Sequence, residues 1–276
     1  MRNTFVIAGK EFSDLVRSNV MVVALAVYCM LLLYEYYDSY NVINNNLLQF
    51  GVVGPVDDPA ISPGSLVSVL CGYGGLVAVV LGLSSMYYEV SNRAINTLMV
   101  KPVYRDVILN GKLLGAVFFA FCIFVFTVLV NISLNFVFWG EHFSRAFPAF
   151  LGRLPVVLVS YMLVFMMFYL LTVLMFLLFH RSSLAFFLAF IAWIFLYEVV
   201  PSGFSPSLAS FFPNSEQMGW VISCLSPKGM LSLIFDRAAD GVGAFSANIL
   251  EFFKLMLYVG ALLISCYIVF LRRDVS

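Results

Sequence analysis

Charge is what this 276-residue sequence has least of. Asp, Glu, Lys and Arg make up 11% of it, where soluble domains run at about 25%. That shortage excludes an ordinary water-facing surface. Bases and acids balance at fifteen each, so there is no basic field for nucleic acid and no bulk attraction for an acidic substrate. Cysteines number five, and Cys29, Cys71, Cys122, Cys224 and Cys266 form no CxxC pair. Most lie in apolar runs, where a thiol packs as a small hydrophobe, so neither a metal site nor a redox pair is expected. A phosphate loop of the form GxxxxGK[ST] is absent: Gly9–Lys10 and Gly111–Lys112 lack the leading glycine and the hydroxyl residue. The chain cannot hydrolyse ATP by that route.

Candidates for catalysis are equally thin. Glu141, His142, His180 and Glu198 all stand at the ends of apolar runs, where polar capping is their ordinary role. No HExxH, no GxSxG and no carboxylate pair within a run supports a membrane-embedded enzyme. No catalytic residue is nominated.

What the sequence has in abundance is apolar length, with 62% hydrophobic and 17% aromatic residues. A transmembrane helix needs about 20 predominantly apolar residues. Six runs qualify: Val20–Tyr36, Leu66–Tyr88, Leu113–Trp139, Leu154–Phe179, Leu184–Val200 and Phe252–Leu271. The expected fold is an all-α membrane protein, residues 1–276 forming one transmembrane domain. The first run has the length of a signal-peptide core, but EYYDSYN follows it without a small-residue cleavage pattern, so it reads as a retained span.

Six spans place both termini on one side. That side holds Arg2, Lys10, Arg17, Arg93, Lys101, Arg105, Lys112, Arg181, Arg272 and Arg273, ten of the fifteen basic residues, and is therefore assigned to the cytoplasm. Two outer segments are long. Tyr37–Ser65 contains NNN and PVDDPAISPG and reads as a turn-rich cap. Pro201–Asn248 contains a semi-apolar piece, Met218–Phe235, split by Pro227 and Lys228; a re-entrant or surface-lying helical hairpin is expected there rather than a seventh span.

Two amphipathic stretches face the cytoplasmic side. Over residues 2–18, Phe5, Ala8, Gly9, Phe12, Leu15 and Val16 gather opposite Lys10, Glu11, Asp14 and Arg17. This predicts an interfacial helix, either an elbow bracing the first span or a plain membrane anchor. The second is the island Tyr88–Lys112, YEVSNRAINTLMVKPVYRDVILNGK. Val90, Ala94, Ile95, Leu98 and Met99 form one arc, and Glu89, Asn92, Arg93, Asn96 and Thr97 the other. Glu89 and Arg93 have helix-stabilising spacing, and Pro102 ends the helix. A simple connector needs about 2–8 residues, so the longer polar-faced island suits docking to a soluble partner, with a helix floating at the headgroups as the plainer reading.

Two features lie within spans. Thr127, Asn131 and Asn135 share one face of the third run, a polar stripe for interhelical bonding or for a substrate path. Gly72, Gly75 and Gly82 permit close approach along the second run, with a dimer seam as the sharper expectation.

Glu89, the Asn96–Thr97–Leu98 triplet and KPVYRDVILNGK at Lys101–Lys112 resemble the corresponding pattern of ABC-2 type transporter permeases. GKEF at Gly9–Phe12 resembles the family's start, and Ser226–Pro227 its last outer loop. The chain departs at Asn96, where many members have glycine. The layout is similar to the type V exporter subunits, nearest the multicopper-enzyme-maturation and sodium-export permeases. The resemblance implies a permease in the cell membrane of a bacterium or archaeon, exporting with energy from a separate ATP-binding-cassette subunit that holds the ATP and magnesium. It implies no cofactor in this chain, lipid surroundings, and a homodimer or a pair with a related permease. The island would be the coupling helix. Glu89, Asn92, Arg93, Asn96 and Thr97 would meet the ATPase, and Pro102 and Arg105 would set the angle at which force enters the third span. A scaffold without transport would use the same docking helix.

Overall fold

Apolar runs without a breaker become long helices, because lipid leaves backbone groups no partner but the chain itself. The structure, a computed structural model, describes residues 2–50, 66–91, 105–179, 181–197, 226–236 and 249–272, and these are almost wholly helical. Helix α1 spans Arg2–Arg17 and α2 spans Asn19–Phe50. A π-helical segment, Ser68–Tyr73, leads into α3, Gly74–Ser91. Then come α4, Arg105–Phe179, α5, Ser182–Trp193, α6, Pro227–Asp236, and α7, Ile249–Arg272.

Among the described residues, five segments are long and apolar enough to cross a membrane: Asn19–Asp38, Ser68–Tyr87, Val107–Phe138, Phe150–Phe179 and Ile249–Phe270. The fifth expected run, Leu184–Val200, corresponds to a shorter apolar helix, Ser182–Tyr197. The protein is thus an all-α, multi-pass membrane protein. The α3 span is its centre, 72% buried, whereas those of α2 and α7 are 17% buried and peripheral.

One local expectation needs correction, and two further features go beyond what was expected. Helix α2 runs on to Phe50 through the NNN triplet instead of giving way to a turn-rich cap at Tyr37. The first glycine and proline after the span stand only at Gly51 and Pro55, so nothing ends the helix sooner. The connection between the third and fourth runs is also helical. One residue breaks α4, Gly140 at φ 45° and ψ −112°, a conformation that only glycine adopts readily. Phe143, wholly buried, holds the bend by packing on Phe136, Phe147 and Phe150 with ring centroids 5.0–5.8 Å apart. Finally, Ser226 Oγ accepts from the Gly229 N–H and caps α6. Met230 and Ile234 of that helix are fully buried, so α6 packs into the protein along one face. The remainder of Met218–Phe235 lies outside the described residues.

Helix α4 is the hub. Its two apolar arms pack on α3, α1, α5 and α7.

Candidate functional site

Lysine at the mouth of a span ordinarily reaches out to water. Lys112 does the opposite. It is 3% exposed, and its Nζ donates to Glu11 Oε1 of α1 at 2.9 Å, to the Ser85 carbonyl of α3 at 2.7 Å and to Ser85 Oγ at 3.1 Å. One ammonium group therefore joins three helices, and the carboxylate of Glu11 neutralises its charge.

Glycine makes the contact short enough. A Cβ on Gly111 would stand 2.6 Å from Ile7 Cγ2, and one on Gly115 would stand 3.3 Å from the Ala8 carbonyl. Helix α1 therefore lies directly against the backbone of α4, with Phe12 edge-on to Phe118 at 5.1 Å. Although α2 follows it in the chain, α1 packs chiefly on α4. Helix α1 thus braces the Val107–Phe138 span more than the Asn19–Asp38 span that follows it. On the other side of α4, the Tyr267 hydroxyl of α7 donates to Asn110 Oδ1.

These bonds frame the charged island. Glu89 lies in the last turn of α3, and Ser85 stands six residues before that helix ends at Ser91. Arg105 opens α4 seven residues ahead of Lys112. Both roots of the island thus end in the Lys112 junction. Asn92, Arg93, Asn96, Thr97 and Pro102 lie outside the described residues, and the side chains of Glu89 and Arg105 are likewise not described.

The polar stripe is buried, with Thr127 1%, Asn131 2% and Asn135 5% exposed. Thr127 Oγ1 donates to the Ile123 carbonyl at 2.8 Å, so the Tyr28 hydroxyl, 2.7 Å away, is the donor between α2 and α4. Asn135 Nδ2 donates to Asn131 Oδ1 at 2.8 Å within the helix. Tyr28→Phe should cost about 0.6–1 kcal/mol, since Thr127 keeps its backbone partner. Unfolding titrations of the two proteins in detergent check this. Above the stripe, the Tyr73 hydroxyl donates to Glu35 Oε2 at 3.2 Å. The buried hydroxyls of Tyr36, Ser160 and Tyr161 have no hydrogen-bond partner among the described residues.

The three glycines of the second run meet the chain's own helices. A Cβ would stand 3.0 Å from Tyr197 at Gly72, 3.0 Å from Phe168 and Trp193 at Gly75, and 2.9 Å from Thr172 at Gly82. The faces expected at a dimer seam are thus filled from within. The π-helical turn adds to this: the Gly72 carbonyl accepts from Trp193 Nε1 at 3.1 Å, across to α5.

The sequence profile of the ABC-2 family transporter proteins matches residues 5–275. The chain belongs to that family. No curated protein sequence matches it. As an ABC-2 protein it is one of the permeases that associate with ABC transport machinery.

Of the residues weighed for catalysis in this ABC-2 chain, the structure describes the side chain of Glu141 and not that of His142. Glu141 is exposed just after the Gly140 bend of α4, and no group of three metal-ligating side chains occurs among the described residues. His180 and Glu198 lie outside them. Sequence reasoning missed the Lys112–Glu11 pair. Its available signal was Gly111, a small residue beside a charge at a span entrance, but the partner a hundred residues away carried no local mark.

Proposed function

We propose that this ABC-2 protein is the transmembrane subunit of an exporter driven by ATP hydrolysed in a separate ATP-binding-cassette subunit. In this reading six spans cross the cell membrane. Ser182–Tyr197, about 24 Å long at 1.5 Å per residue, supplies the fifth with the residues that follow it. Both termini and the island face the cytoplasm, as the distribution of Lys and Arg favours. The permease core is completed by a second copy or a related permease.

The observation that carries the proposal is the Lys112 junction. A push on the island enters through Ser91 and Arg105, and the Lys112 bonds make α1, the end of α3 and the start of α4 respond as one block. Such a block suits force arriving from outside the bilayer. The buried hydroxyls of Tyr36, Ser160 and Tyr161, without a hydrogen-bond partner among the described residues, also suit a protein that moves. A buried hydroxyl without a partner costs about 1–3 kcal/mol, and a rearranged state that supplies one recovers it.

The polar arc Glu89, Asn92, Arg93, Asn96 and Thr97 makes the contact with the ATPase, and Pro102 and Arg105 set its angle. Reversing both charges, Glu89→Arg with Arg93→Glu, should release the ATPase subunit from the solubilised complex and abolish its stimulation. Intact assembly and unchanged ATP hydrolysis in the double variant would remove the docking role.

A further inference from the structure

Gly9 stands in the middle of α1, where glycine is a poorer helix former than alanine. The helical glycines 72, 74, 75, 82, 111 and 115 are all explained by a neighbour closer than 3.4 Å to a Cβ position. Gly9 is not: a Cβ there would meet nothing within 4 Å. Gly152 and Gly260 share that openness, and Gly9 in addition lines a cavity.

That cavity has a volume of about 530 Å³, and the described residues lining it include no polar side chain. Its roof is the apolar face of α1, at Phe5, Gly9 and Phe12. From there it follows the first arm of α4 from Leu114 to Phe121, about 10 Å along the helix axis, and ends at Leu158 and Met162 of the second arm. It thus runs from an amphipathic helix at the membrane interface toward the bilayer interior, the course of a lipid tail.

We infer that this groove is a binding site for a phospholipid with an anionic headgroup, one acyl chain lying under α1 and the phosphate at the level of its basic residues. Charge favours the sign. Glu11 is consumed by Lys112, which leaves Lys10 and Arg17 exposed on α1 against the single carboxylate of Asp14. Shape favours a lipid over a second copy of the chain. A helix about 10–12 Å across could not enter beneath α1 without lifting it off α4, and Lys112, Gly111 and Gly115 hold it there. A single flexible chain needs no such displacement.

Tryptophan quenching tests the site in the intact protein. Phe121→Trp reports from the groove, and Ile264→Trp reports from the open face of α7, where the residue is 58% exposed. Each is reconstituted in phosphatidylcholine vesicles with increasing phosphatidylglycerol whose acyl chains are dibrominated, and the parent's own signal is subtracted. The groove reporter should be quenched as though brominated lipid were enriched about fivefold, the effect of one basic side chain near the surface. The α7 reporter should follow the bulk composition. Gly9→Leu fills the cavity without a backbone clash and should bring the groove curve onto the bulk one, while leaving the Ile264→Trp curve unchanged. Superimposable curves for the two reporters, meaning ordinary annular lipid, would overturn the inference. So would a groove reporter that bromine cannot reach, as behind a second copy, or an enrichment that survives Gly9→Leu.

Discussion

Glu11→Gln lowers the stability of the folded protein by about 3 kcal/mol, the low end of the cost of removing one member of a buried ion pair. Lys112 is then left almost fully buried and charged, its ion-pair partner gone, beside the neutral oxygens of Ser85. Lys112→Met does less harm, because Glu11 keeps 16% of its side chain exposed and can turn toward water. The double variant Glu11→Gln with Lys112→Met removes both charges and recovers much of the loss, since a methionine follows the lysine stem closely. Unfolding titrations of the four proteins in detergent form a double-mutant cycle. A coupling of about 2 kcal/mol is expected, and a value near zero would mean that the charges act independently.

Gly82→Leu is the second large effect. Beside Gly82 stand Thr172 Cβ at 2.9 Å and the Tyr169 carbonyl at 3.0 Å from a Cβ position. The latter is helix backbone and cannot step aside. Alanine there should cost about 1–3 kcal/mol by overpacking, partly offset by its better helix propensity. Leucine exceeds what the seam between α3 and the second arm of α4 can accept, and folded protein should largely disappear from detergent extracts. Gly9→Ala is the control, because its Cβ meets nothing; it should be neutral or stabilising by up to about 1 kcal/mol. If Gly82→Leu instead left a folded monomer and altered only oligomer size on gel filtration, the glycine would belong to an interface between copies.

The contrast between these positions marks what could be read from the chain alone. Apolar runs such as Val107–Phe138 declare themselves, because lipid demands unbroken apolar length and the sequence must supply it locally. Extents beyond the lipid were harder. The helical connector after Gly140 is held by Phe136 and Phe143, a tertiary contact that composition does not distinguish from lipid-facing aromatics. The Thr127–Asn131–Asn135 stripe was legible as a buried face, because polar side chains in a span must find partners. Its partner Tyr28 was not, since tyrosines are common in the first run. Gly72, Gly75 and Gly82 announced close packing but not against which neighbour. Lys112 and Glu11 looked like two ordinary charges at a membrane surface, because pairing across a hundred residues depends on where α1 folds back.

ATP-driven export by this chain requires that the island between α3 and α4 hold a motor. The direct measurement is purification of the tagged chain from its native membrane in mild detergent, with mass spectrometry of the proteins that accompany it. An ATP-binding-cassette subunit should be recovered with the parent chain and lost when Glu89 and Arg93 are both reversed in charge. Recovery of the chain alone, with the reversed variant indistinguishable from it, would contradict the docking island and leave the Lys112 junction as a purely structural brace.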